Sequence, residues 1–268
     1  MTSHPLLKIA NLSVSYPKRS GLFKTEKEAI HAVDSVSFCV HEGEIVGIVG
    51  ESGSGKSSLA KAIVCITPAT QGQVLIHGVD LLTLSKSALM PYRKEMQIVF
   101  QNPAASFNMR KTVFEMLHEV TEVHKIVATE DEAMTFFSSL LTRVGLDPTL
   151  LLRYPHELSI GQLQRISLAR ALCTRPKLLL LDECVSALDI SVQAQVLNLL
   201  LELHKTERLT YLFISHDLSV IYHLADRVLV LYQGKIVESG EVEQVFSHPR
   251  HPYTQKLLAS RITTSSSR

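Results

Sequence analysis

The sequence predicts an α/β fold in which a helical insertion separates two strands of a sheet. Three observations carry that expectation. The apolar run Ile45-Val46-Gly47-Ile48-Val49 leads straight into Gly50-Glu51-Ser52-Gly53-Ser54-Gly55-Lys56-Ser57, after which Ser58, Leu59, Ala60 and Ala62 read as a helix start. Leu178, Leu179, Leu180 and Leu181 form a continuous apolar stretch ending in Asp182 and Glu183, the pattern of a buried parallel strand. Between them, over about 102 to 175, apolar side chains recur at helical spacing.

The spacing G-x-x-x-x-G-K-[ST] has a mechanical reason. Glycines let the backbone curl until successive N–H groups point inward at a triphosphate, and the helix N-terminus adds the positive end of its dipole. Lys56 is placed to reach the terminal phosphates, and Ser57 to give its hydroxyl to Mg²⁺. A nucleoside triphosphate is therefore the expected ligand.

Composition narrows the class. A chain of 268 residues, 46% hydrophobic, suits one large domain or two small ones with a real core. Net charge is +1 with no basic block, which gives no support to nucleic acid as a partner. Cys39, Cys65, Cys173 and Cys184 are scattered and form no C-x-x-C pair, so buried, reduced thiols of a cytosolic protein are expected. The start MTSHPLLKIANLSV lacks the charged-then-apolar pattern of a signal peptide, and no window approaches a membrane span of about 18 apolar residues. The chain is expected to be soluble by itself and to dock on a membrane protein.

Taken in order, Leu7 to Ser15 and Val33 to Val40 alternate as half-buried strands, separated by a polar loop with Pro17 and Gly21. Tyr16, at a strand end, either stacks on adenine or covers a sheet edge. Gln73 to Ile76 and Gln97 to Phe100 are further strands, the second ending at Gln101, where ligands of α/β sheets bind and where solvated polar residues are also common. Thr112 reads as the N-cap of a helix whose core stripe is Val113, Phe114, Met116, Leu117, Val120 and Val123. A second stripe runs through Ala133, Met134, Phe136, Phe137, Leu140, Leu141 and Val144, with Gly145 as its stop.

Ser159 caps another helix, placing Gly161 and Gln162 in its first turn. Asp182 can hold Mg²⁺ through water and Glu183 can orient or deprotonate the attacking water; the plainer alternative is that both acids cap the next helix. Asp189 precedes a further amphipathic helix through Val192, Val196, Leu199, Leu200 and Leu203. A strand from Thr210 to Ile214 ends at Ser215-His216-Asp217, where His216 can bond the terminal phosphate or the catalytic acid. Val228 to Glu238 reads as a hairpin around Gln233-Gly234, His248 and His251 as surface residues, and the last residues as disordered.

With these pieces in order, the chain resembles the ATP-binding subunits of ABC transporters from about Leu7 to Leu258. The resemblance implies an α/β P-loop NTPase with a RecA-like mixed sheet core, an N-terminal antiparallel β region and an inserted helical subdomain. An ABC ATP-binding domain would span 1–247, with its helical subdomain at about 102–175, and a tail 248–268. Tyr16 looks like the family's adenine-stacking aromatic. Gly50, Glu51, Ser52, Gly53, Ser54, Gly55, Lys56, Ser57 and Ser58 fall on its Walker A loop. Gln101 matches the Q-loop glutamine, a catalytic and Mg²⁺-binding position. LSIGQ is similar to the signature LSGGQ, Asp182 ends Walker B, Glu183 matches the catalytic glutamate, Ser186 to Asp189 the D-loop and His216 the switch histidine.

The family also implies a head-to-tail dimer with a homologous second ATPase subunit. Each ATP is clamped between the Walker loop of one subunit and Ser159, Gly161, Gln162 and Asp189 of the other. Two transmembrane permease subunits, and indirectly an extracytoplasmic solute-binding protein, complete an importer on the cytoplasmic face of the membrane. VFQNPAASFNMRKTV, YPHELS, DECVSALDISVQAQVLNLL and HPYTQKLL are most similar to the peptide and nickel permease branch, as the second ATPase of an oligopeptide or dipeptide importer. A nickel or metal-chelate importer is the neighbouring alternative. A soluble ABC-type ATPase acting on DNA or ribosomes would carry two modules or long insertions that this sequence lacks. Ile160 stands where the signature has glycine, and Asn102 and Met109 depart from FQDP…NPR.

Overall fold

A computed structural model describes residues 4–17 and 29–265, with side chains as far as 259. Residues 18–28, the middle of the polar loop expected over 17–32, and 266–268, expected to be disordered, lie outside the described residues, while Pro17 and the start of β2 at Ala29 extend the two strands into the expected loop.

Strands β1 (Leu7–Pro17) and β2 (Ala29–Val40) open the chain with alternating buried and exposed side chains. β3 (Ile45–Val49), buried throughout, is followed by α1 (Lys56–Ile63). β4 (Gln71–Ile76) and β5 (Val79–Asp80) follow, joined by His77 at φ 49° and Gly78 at φ 82°, the two left-handed residues of a tight hairpin. Next come α2 (Met90–Glu95), β6 (Met96–Val99), α3 (Val113–Val123), α4 (Glu130–Arg143), α5 (Ile160–Leu172), β7 (Leu178–Asp182) and α6 (Ile190–Glu207). The chain closes with β8 (Thr210–Ile214), α7 (Leu218–Leu224), β9 (Arg227–Tyr232), β10 (Lys235–Glu241), α8 (Val242–Ser247) and α9 (Pro252–Ser265). The stretch 248–268, expected to be a tail, thus carries a helix from Pro252.

Two compact units result, Met1–Met90 with Thr210–Arg268 and Pro91–Leu209. In the first, an antiparallel sheet runs in the order β2-β1-β4-β5. A mixed sheet runs β10-β9-β3-β8, with β3 parallel to both β8 and β9 and β10 antiparallel to β9. The continuous apolar sequences of β3 and β8 suit the middle of such a sheet, buried on both faces. Polar contacts pin the start of β3: Ile45 N–H donates to the Asp226 carboxylate at 2.8 Å, and Arg227 Nε to Glu44 at 2.8 Å. Helix α7 packs so closely on β3 that a side-chain carbon at Gly47 would lie 2.7 Å from the Ile221 side chain.

In the second unit β6 and β7 pair in parallel, Met96 opposite Leu178 through Val99 opposite Leu181. Thr112 caps α3 through a reciprocal box with Glu115, and Thr129 caps α4. Gly145, at φ 70°, turns the chain out of α4 while Leu146 N–H donates to the Leu141 carbonyl at 2.9 Å, a left-handed helix stop. Phe137 is buried at the centre of this unit, edge-on to Phe114 with ring centroids 5.3 Å apart.

Two expected core positions are exposed, and Phe114, Val120 and Phe136 are only half-buried. Val123 is 62% exposed and Met134 is also exposed. On α3 the buried arc takes Thr121 instead, whose hydroxyl is satisfied by donating to the His118 carbonyl at 2.9 Å, leaving Val123 at the helix end on the solvent side. The thiols divide likewise: Cys173 and Cys184 are buried, Cys39 and Cys65 only half-buried, and none of the four forms a disulfide. Among the described residues no helix is long and apolar enough to cross a membrane.

Phe137→Ala is expected to lower the unfolding free energy by about 3–5 kcal/mol, read as a shift of the urea midpoint. Val123→Ala, at an equally apolar position in the sequence, is expected to change it by about 0.5 kcal/mol or less.

Candidate functional site

In the first unit the loop between β3 and α1 is held by backbone contacts that leave no room for side chains. Gly55 sits at φ 107°, and a carbon added there would lie 2.0 Å from the Ala32 carbonyl oxygen; one added at Gly50 would lie 2.2 Å from the Leu231 carbonyl oxygen. Glycine is required at both by close approach, and at Gly55 by the left-handed backbone as well. Gly234 N–H donates to the Ser54 carbonyl at 2.9 Å, tying the β9–β10 turn to the loop. Helix α1 has no side-chain cap, so its N-terminal amides and dipole face whatever the loop encloses.

Lys56 is 4% exposed, and its ammonium donates to the carbonyls of Gly50 at 2.8 Å and Glu51 at 3.0 Å. The charge is thereby carried inside the curl of the loop. Ser54 Oγ is buried with no hydrogen-bond partner among the described residues, a cost that a phosphate oxygen would relieve. Tyr16 is exposed and anchored by its hydroxyl, which donates to Ser58 Oγ on the first turn of α1 at 3.2 Å. The Glu51 N–H donates to the hydroxyl of Tyr253, near the start of α9, at 2.9 Å. Sequence reasoning missed Tyr253; the readable signal was His251-Pro252, a capping residue followed by proline at a first helical position. His216 follows β8 and is exposed in this unit.

The second unit brings Gln101, Glu183 and Ser186 together. Gln101 Nε2 donates to Glu183 Oε2 at 3.1 Å and to Ser186 Oγ at 3.2 Å, leaving its carbonyl oxygen outside both bonds. Glu183 sits at φ 49°, a left-handed conformation that costs a non-glycine residue about 1 kcal/mol or more. The turn after it holds it there, since Ser186 donates both its N–H and its hydroxyl to the Glu183 carbonyl, at 3.1 and 2.9 Å. Asp182, the last residue of β7, is 4% exposed. Neither acid caps the following helix: Asp189 does, accepting from Val192 N–H at 2.9 Å and Ser191 Oγ at 2.8 Å. Those bonds, the Val192 amide first, hold its carboxyl below the usual range.

Also in this unit, Ser159 and Gln162 form a reciprocal capping box at the start of α5, with Gln162 N–H on Ser159 Oγ at 3.2 Å and Ser159 N–H on Gln162 Oε1 at 2.9 Å. Gly161 lies against α6, where an added carbon would meet Val192 at 2.7 Å. Ile160 is 57% exposed at the same helix end. The branched side chain in place of the usual glycine therefore faces outward and leaves the α5–α6 contact to Gly161.

A model described as "ABC transporter" matches residues 33–186, more than half of the chain. The chain belongs to the ABC transporter family. A second model, "Oligopeptide/dipeptide transporter, C-terminal region", matches residues 237–267. Among ABC proteins, the chain is 47% identical over 256 residues to the oligopeptide transport ATP-binding protein AppF of Bacillus subtilis, covering 95% of this chain and 78% of AppF. It is 44% identical over 256 residues to the glutathione import ATP-binding protein GsiA of Escherichia coli, covering 96% of this chain but spanning only 41% of GsiA. The solved ABC cassette MJ0796, in a dimeric post-hydrolysis state bound to ADP and Pi, is similar with a TM-score of 0.78 and 27% identity, over 88% of this chain and 98% of that one. An ABC fold of this kind binds nucleotide.

Cys184 adjoins Glu183, and burial pushes its thiol, like that of Cys173, up to about 12. At pH 8 neither is a thiolate, so a chromogenic disulfide reagent is expected to modify only Cys39 and Cys65 in the native chain. All four thiols should react in denaturant, as mass spectrometry of the labelled peptides would read.

Proposed function

We propose that this chain is the ATP-binding and ATP-hydrolysing subunit of an ABC importer that energises uptake of oligopeptides or dipeptides. The observation that carries the peptide reading is the match of residues 237–267 to the oligopeptide/dipeptide C-terminal model on a chain matched to the ABC transporter model. The identity to AppF and GsiA supports the same class of short peptide cargo.

In this reading Tyr16 stacks on adenine, and the loop Gly50 to Ser57, Glu51, Ser52 and Gly53 included, cradles the phosphates with Ser58 beside it. Lys56 exchanges its two carbonyl partners for the terminal phosphates. The Ser57 hydroxyl, the Gln101 carbonyl and the Asp182 carboxylate are all hard oxygen donors, the set Mg²⁺ prefers. Mg²⁺ bound there supplies charge neutralisation on the phosphates. Glu183, oriented by Gln101, takes a proton from water as the water oxygen bonds to the γ-phosphorus and the bond to the ADP oxygen breaks. His216 bonds the terminal phosphate or the catalytic acid.

A homologous second ATPase subunit, docked head to tail, presents its equivalents of Ser159, Gly161, Gln162 and Asp189 to the same ATP. The capped, positive N-terminus of α5 suits that task. Binding of two ATP molecules closes the dimer and hydrolysis reopens it, driving two transmembrane permeases that receive cargo from a solute-binding protein. The subunit would lie peripherally on the cytoplasmic face of the membrane.

Glu183→Gln is expected to lower phosphate release by the assembled transporter about 10²–10⁴-fold while ATP binding persists; near-normal turnover would overturn the assignment. Lys56→Ala is expected to abolish binding of a fluorescent ATP analogue, and unchanged affinity counts against the phosphate role. For the cargo, the tagged chain would be purified from gently solubilised native membranes and its partners identified by mass spectrometry. Two multispanning permeases, a sister ATPase and a solute-binding protein are expected; recovery with ribosomes or DNA-repair proteins instead would remove the transport reading.

A further inference from the structure

The C-terminal segment reaches back to the phosphate loop through one side chain. Tyr253 is buried, its hydroxyl accepts the Glu51 N–H at 2.9 Å, and its ring stacks on Tyr232 with centroids 4.1 Å apart. The peptide it holds is the one Lys56 holds from the other side, since Lys56 donates to the Gly50 and Glu51 carbonyls. When Lys56 turns to a phosphate those two bonds are given up, and the Tyr253 bond continues to fix the Glu51 peptide.

Tyr253 is itself placed by polar contacts. Its N–H donates to His251 Nδ1 at 3.1 Å, so the imidazole caps α9 just before Pro252. The Glu238 carboxylate accepts the N–H groups of Arg250 at 2.8 Å and His251 at 3.0 Å. Beside these bonds lies a cavity of about 510 Å³ lined by Glu238, Gln244, His248, Arg250 and His251.

We propose that Tyr253 is a positioning residue of the phosphate loop, through which the C-terminal segment sets the loop conformation that meets the triphosphate. The proposal rests on the ATP-binding reading above. Tyr253→Phe keeps the ring on Tyr232 and removes the acceptor. ATP affinity of the purified chain, and KM for ATP in the assembled transporter, are expected to weaken about 2–10-fold with kcat nearly unchanged. Hydrogen exchange at the Glu51 amide should accelerate while the amides of Ile45–Val49 keep their protection. Unchanged affinity overturns the proposal, whether or not Glu51 exchange changes. Exchange that rises throughout β3 and α1 also overturns it, by assigning Tyr253 to general packing. Should the unmodified chain not bind ATP, the nucleotide reading fails by itself, and the Glu51 exchange rate still tells whether the tether exists.

Discussion

The backbone of the loop between β3 and α1 is confined from two sides. The Ala32 carbonyl stands where a side chain at Gly55 would be, and the Leu231 carbonyl where one at Gly50 would be. Only a chain without side chains at those points can follow so tight a path, and that path aims the amides at the start of α1 inward. Much of the first unit serves this confinement. The β9–β10 turn bonds the Ser54 carbonyl, Tyr253 bonds the Glu51 amide, and the mixed sheet fixes β3 between β8 and β9.

The second unit solves a different problem, that of presenting a carboxylate at a strand end. β7 is apolar up to its last residue, then gives a buried Asp182 and a half-buried Glu183 whose backbone is left-handed. Hydrogen bonds from Ser186 keep that backbone in place and the Gln101 amide orients the carboxylate. Asp189 relieves both acids of the task of capping α6. Each acidic residue in this short stretch therefore has a separate job.

Much of this was legible in the sequence because it is written in local periodicity. The apolar strands, the caps at Thr112 and Ser159 and the stop at Gly145 all depend on neighbours within a few residues. What escaped depends on distant partners or on the limits of a helical arc. The tether from Tyr253 to Glu51 joins residues 202 apart in sequence through one hydroxyl and one amide, and no spacing rule signals it. Val123 and Met134 have the right chemistry for a core stripe but stand at its margins, where burial is decided by the neighbouring element and not by the helix's own pattern. The bond between Gln101 and Glu183 spans 82 positions and was likewise invisible, although both residues had been singled out separately.

The left-handed backbone at Glu183 sets stability against use. Glycine or asparagine occupies that conformation more readily than glutamate, saving about 1 kcal/mol. By backbone preference alone the position therefore favours those residues, while the exchange would also give up the bond that the carboxylate accepts from Gln101. Local backbone preference and side-chain hydrogen bonding thus pull in opposite directions at this one residue.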